Sequence, residues 1–205
     1  VTENPDHLDL ADLVSIQRAP EAFAQLCTQP LLHIAVSAEL SQPLHLSYRG
    51  SSWPVIIDAA PNVKLTLTEA YESDQAQQQT LWLRLGANSL VTHARNSFYS
   101  TALHWQFVSV QAHAHSHYRL HNHALASSLR RQDTQIQLVG DGAHAELNSA
   151  VMVAERLNLD QQITIEHIGA QTSSHQRVHN IIADRGQSTF NGRIHIHNGA
   201  KKSNA

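Results

Sequence analysis

Val63-Lys64-Leu65-Thr66-Leu67-Thr68 places an apolar residue at every second position. A β-strand turns successive side chains to opposite faces, so a segment written this way buries one face and wets the other. The period continues along the chain. Leu81, Leu83 and Leu85 alternate with Trp82 and Arg84, and Ile136 and Leu138 with Gln135 and Gln137. Runs of this kind predict strands at 31–36, 44–48, 55–58, 63–71, 81–85, 90–93, 103–110, 134–139, 145–153, 163–167, 178–183 and 189–197. The fold class read from this pattern is all-β.

Turn residues punctuate the runs as Pro61-Asn62, Gly86-Ala87-Asn88, Gly140-Asp141-Gly142-Ala143, Gly169-Ala170, Gly186-Gln187 and Asn198-Gly199-Ala200. Strands regularly punctuated in this way suggest a solenoid, although their spacing is irregular and yields no repeat consensus; a β-helix is favoured over a jelly roll. A terminal coil of a solenoid presents unpaired strand groups and needs a cap or a partner. The first thirty residues read differently. Leu8, Leu13 and Ile16 sit near helical spacing, and Pro20 precedes Phe23 and Leu26 before Pro30 stops the pattern, which predicts one or two short helices. Residues 1–30 are therefore read as a short helical lead-in and 31–205 as the β core. With 205 residues and 41% hydrophobic content, one domain is expected.

A formal net charge of -3 and only 14 Lys plus Arg leave no basic footprint for nucleic acid or an anionic membrane. The apolar runs are far shorter than the roughly 18 to 20 residues of a membrane helix. The single cysteine, Cys27, has no partner for an internal disulfide, and no leader is evident; a reducing, cytoplasmic setting is expected.

Sixteen histidines are the compositional oddity. His113, His115, His117, His121 and His123 cluster, and His195 and His197 form a second alternating pair. If His113, His115 and His117 lay on one strand they would share a face and could converge on zinc or iron. A histidine-metal β-protein of cupin type is thus an alternative reading, but no carboxylate completes the set, and a solvated strand face is favoured. Neither a G-x-S-x-G elbow nor a phosphate-binding loop occurs, and Asp133, Asp141, Asp160 and Asp184 are scattered. No catalytic, cofactor or metal residue is assigned, and no enzyme activity is expected. A carbohydrate-active β-helix enzyme is a weaker alternative, disfavoured by an aromatic content of 5%.

The order of several segments carries more than any of them alone. Leu129-Arg130-Arg131-Gln132-Asp133 precedes a strand ending in Gly140-Asp141-Gly142. Asp160-Gln161-Gln162-Ile163-Thr164-Ile165-Glu166-His167 follows, then Phe190-Asn191-Gly192-Arg193-Ile194, then Lys202-Ser203-Asn204-Ala205. This succession resembles the SufB/SufD family of iron–sulfur cluster assembly proteins, with Asp160, Thr164, His167, Phe190, Gly192 and Ile194 on the family pattern. Val63–Glu69 and Tyr71-Glu72-Ser73 resemble its early strand. The missing cysteines lean the likeness toward SufD. The resemblance implies a right-handed parallel β-helix and a cytoplasmic scaffold role in the SUF complex, beside a SufB-like subunit and the SufC ATPase. The iron–sulfur cluster would be handled by the complex and no cofactor bound by this segment; self-association is left open. The family's C-terminal segment, with its cluster-linked histidine, is not matched here, so the sequence reads as the β-helix core of a longer protein. That histidine's role is carried onto neither His195 nor His197.

Overall fold

The computed structural model describes residues 14–18, 31–49 and 53–205. Fourteen strands occur among them: Val14–Arg18 (β1), Leu32–Val36 (β2), Leu44–Tyr48 (β3), Val55–Ala59 (β4), Lys64–Tyr71 (β5), Gln77–Leu85 (β6), Leu90–Ser97 (β7), Leu103–Ala112 (β8), His117–Leu125 (β9), Leu129–Leu138 (β10), His144–Val153 (β11), Asn158–His167 (β12), Ser173–Ile182 (β13) and Gln187–Ile196 (β14). The even-numbered strands from β2 to β14 lie side by side in one sheet, and the odd-numbered strands from β3 to β13 in the other. Every pairing within these two sets is parallel. Consecutive strands change sheet, so each coil contributes one strand to either side and stacks on the coil before it. This is a β-solenoid, and parallel ladders exclude the antiparallel jelly roll.

β1 departs from the rule and from expectation. It pairs antiparallel with β2, Ile16 opposite Ile34, where helical spacing had been read. The unpaired edge of β2 offers a row of backbone groups, and Val14 and Ile16 alternate as a strand requires, so edge pairing overrides a weak local helix pattern. The remainder of the expected helical lead-in, residues 1–13 and 19–30, lies outside the described residues.

The core is the space between the sheets. Ile57, Leu67, Leu81, Leu85, Val110, Leu120, Ile136, Leu138 and Ile165 are fully enclosed there. Leu67→Ala, which empties a site without access to solvent, is expected to cost about 3 kcal/mol in urea unfolding.

One corner is built alike in six successive coils, from the one after β4 onward, a regularity the turn signals only hinted at. Asn62, Asn88, His115, Gly142, Gln171 and Lys202 all take left-handed backbone conformations. From Asn62 to Gln171, each donates its N–H to the carbonyl of the residue preceding the equivalent position one coil on, for example Asn88 to Ala114 at 2.9 Å. The residue that follows is small and faces in, as Ser89, Ser116, Ala143 and Thr172 show. The coil length varies from one corner to the next, which hides this repeat from a search at fixed period. Exposed His115, with φ of 55°, gains from the residue that adopts this conformation without strain: His115→Gly should leave the urea midpoint unchanged or raise it.

Candidate functional site

Several strands run further than alternation of apolar residues predicts, because part of the interior is polar. Gln79, Gln106, Gln132 and Gln161 occupy the same inward position in four successive coils. Gln132 donates to Gln106 Oε1 at 2.7 Å, and Gln161 donates to Gln132 Oε1 at 3.2 Å. Across the core stand Arg95, Asn122 and Ser149, also in register. Asn122 donates to both Gln132 Oε1 and Ser149 Oγ at 3.0 Å, and Arg95 Nε donates to Asn122 Oδ1 at 2.9 Å. Ser97 and Gln106 exchange hydrogen bonds at 3.0 and 3.1 Å. The result is a polar column along the solenoid axis, closed off from solvent, whose members largely satisfy one another as buried amides tend to, with Gln79 Oε1 and Gln161 Oε1 left without a partner.

Toward the first coils the column becomes charged. Glu69 Oε2 lies 2.7 Å from His93 Nε2, and its Oε1 accepts from Tyr48 at 2.9 Å and Tyr71 at 3.0 Å. His93 Nδ1 is 2.8 Å from the Tyr118 hydroxyl. Burial pushes the Glu69 carboxyl up, but the charge and hydrogen bond of His93, the charge of Arg95 and the Tyr48 hydroxyl together hold it below the usual range. Burial, followed by the Glu69 charge, raises the Tyr48 and Tyr71 phenols well above theirs. Arg130, enclosed at the start of β10, donates to the Phe98 carbonyl at 2.6 Å, and burial pushes its guanidinium down to about 10. Arg95 Nη1 and Arg130 Nε and Nη1 have no hydrogen-bond partner. Two guanidiniums thus share the interior with one carboxylate. The column can hold charge and orient hydrogen bonds, and the Tyr118 hydroxyl that faces His93 is closed off from solvent.

The histidines singled out in the sequence do not converge. His113 and His115 belong to the turn before β9, so His113, His115 and His117 do not share one strand. His117, His121 and His123 point outward from β9. The rings of His195 and His197 meet edge to face at 4.3 Å beside Glu166. Among the described residues no group of three or more His, Cys, Asp or Glu side chains is placed to hold a metal ion. The cupin-like alternative is therefore corrected: parallel coils filled with side chains leave no barrel mouth in which imidazoles could gather. Of the residues on the family pattern, Asp160 is bound from outside by Arg131 at 2.8 Å, while His167 is enclosed, with Nδ1 2.8 Å from Thr172 Oγ1. Burial holds the His167 imidazole below its usual range.

The polar column itself was missed. Its signal is present as a glutamine that opens four alternating runs: Gln79-Thr80-Leu81-Trp82-Leu83, Gln106-Phe107-Val108-Ser109-Val110, Gln132-Asp133-Thr134-Gln135-Ile136 and Gln161-Gln162-Ile163-Thr164-Ile165. A polar residue at an inward position breaks the pattern by which strands are recognised.

In the last coil, Phe190, Ile194 and Ile196 continue the inward rows of Gln161, Ile165 and His167, and all three are exposed because no strand of the described residues stacks beyond them. A second apolar strip follows one solenoid corner, where Leu125, Met152 and Ile181 stand in register on the outside and Leu103 pairs with Leu129.

A family model described as SUF system FeS cluster assembly, SufBD core domain, matches residues 47–205. The chain belongs to this SufBD core family. The match takes in all strands from β4 to β14, the glutamine ladder and the open last coil. No curated protein matches the chain. No helix of the described residues is long and apolar enough to cross a membrane.

Proposed function

We propose that the chain is the core of a SufD-type scaffold subunit, acting in the cytoplasm with a SufB-like subunit and a SufC-type ATPase during iron–sulfur cluster assembly. The observation that carries this reading is the SufBD core match over a parallel solenoid with an exposed apolar strip along one corner. The exposed corner strip supplies a surface suited to an apolar partner.

The SufD branch is favoured over SufB by chemistry. Carrying sulfur as a persulfide, or ligating iron through a thiolate, requires cysteine. Cys27 is the single cysteine, and it lies outside the matched core. Such a subunit would shape and position its neighbours, with the cluster as cargo of the assembly. A carrier of catalytic residues would need a nucleophile within reach of substrate, and the Tyr118 hydroxyl beside His93 is fully enclosed.

The test is co-expression of the complete protein with a SufB-like subunit and a SufC-type ATPase. A stable complex containing all three, able to support cluster transfer to an apo-acceptor, is expected. Failure to associate with either partner under conditions where the two associate with each other would overturn the reading.

A further inference from the structure

Seven histidines of the described residues, His45, His117, His121, His123, His144, His175 and His179, stand on the outer face of the odd-numbered sheet. Neighbours on this face come from successive coils, so the pairs that matter lie across strands. His117 on β9 is in register with His144 on β11, and Ser173 on β13 is next in the same row. The two imidazole rings are 5.4 Å apart between centroids and inclined by 50°. Two imidazoles that share one cation, each at about 2.0 to 2.1 Å through nitrogen with roughly tetrahedral opening, have centroids about 5 Å apart.

We propose that His117 and His144 form a two-imidazole site for a divalent transition-metal ion of the Cu2+, Ni2+ and Zn2+ class, with water completing its coordination. Ser173 fits the role of the outer partner that such a site needs: its Oγ lies 2.8 Å from His144 Nδ1, which leaves Nε2 as the nitrogen that takes the metal. His117 has no hydrogen-bond partner among the described residues and is exposed, so its ring turns freely toward the ion. The other outward histidines lack this arrangement. His121 faces Asn148, His123 faces Ala150, and His175 accepts from Arg177 Nε at 3.0 Å. Glu146, next along β11, is engaged by Arg119 at 2.9 Å and Asn148 at 3.0 Å, so the protein supplies two ligands and the solvent the rest. The site depends only on the ladder between β9 and β11 and stands apart from the assembly role.

Copper titration of the complete chain, followed by calorimetry and electron paramagnetic resonance, tests it. The wild type should bind one tight Cu2+ equivalent with two nitrogen donors, because the second imidazole is already held close to the first. His117→Ala and His144→Ala should each weaken that equivalent at least about tenfold and reduce the signal to one nitrogen, Ser173→Ala should weaken it less, and His123→Ala should leave it alone. Zn2+ should raise the melting temperature of the wild type and not of either alanine variant. A tight equivalent that survives both substitutions, or a wild-type signal from a single nitrogen, would overturn the site.

Discussion

Glu69→Ala is expected to lower stability by about 5 kcal/mol, enough to unfold much of the protein at 37 °C. Among the described residues the carboxylate is the one buried acidic group, and it has three partners in the closed interior, Tyr48, Tyr71 and His93. Its removal strands two phenolic hydroxyls, an imidazole nitrogen and the positive charge of Arg95 away from water, and each buried orphan adds its own desolvation cost. Glu69→Gln keeps the volume and an acceptor oxygen, and should recover part of the loss. Urea unfolding of the two variants checks this; equal and small shifts would show that the column is not closed.

The same group sets an acid limit. Its folded carboxyl titrates below the usual range, so the unfolded chain binds the proton more readily than the folded one. The stability it contributes is complete above the ordinary carboxylate value of about 4.3 and is lost as pH falls from there through the depressed folded value. In Glu69→Gln this stretch of the acid-unfolding curve should flatten. An unchanged slope would mean that other carboxylates govern acid unfolding.

How much of this could be read from the residues differs by region. Leu65, Leu67, Leu83 and Leu85 announce strands with one buried face, and they are enclosed in the core. The solenoid was readable because turn residues recur between such runs. The strand from His117 to Leu125 was not: its inward positions are Tyr118, Leu120, Asn122 and Ala124, while histidines fill the outward ones and drew the reading toward a metal. Arg130 and Gln132 were read for their place in a motif, with no sign that they point inward. A single strand cannot show which polar residues will meet their equals from the next coil, since that depends on register. His117 and His144 are 27 residues apart in the chain and become neighbours by the same rule that stacks Gln106 on Gln132.

Gly140→Ala is expected to cost about 4 kcal/mol, beyond the usual penalty for overpacking, because nothing near it can give way. A Cβ at this position would stand 2.0 Å from Ala114 N and 2.5 Å from the His113 carbonyl carbon, both backbone atoms of the coil before. Side chains relieve such overlaps by turning; a hydrogen-bonded corner would have to shift as a body and carry the ladder between β8 and β10 with it. In the next coil a Cβ added at Gly169 would stand 2.5 Å from the Gly140 carbonyl carbon, so the backbones pack equally close there and a displaced corner passes the strain onward. Gly199 has open space where a Cβ would go, and Gly199→Ala should be neutral. Thermal and urea unfolding of the two variants side by side therefore test the stacking itself. If both alanines are tolerated alike, the corners do not touch, and the coils cannot be piled one on another at the spacing that brings the glutamines, the buried charges and the paired imidazoles into register.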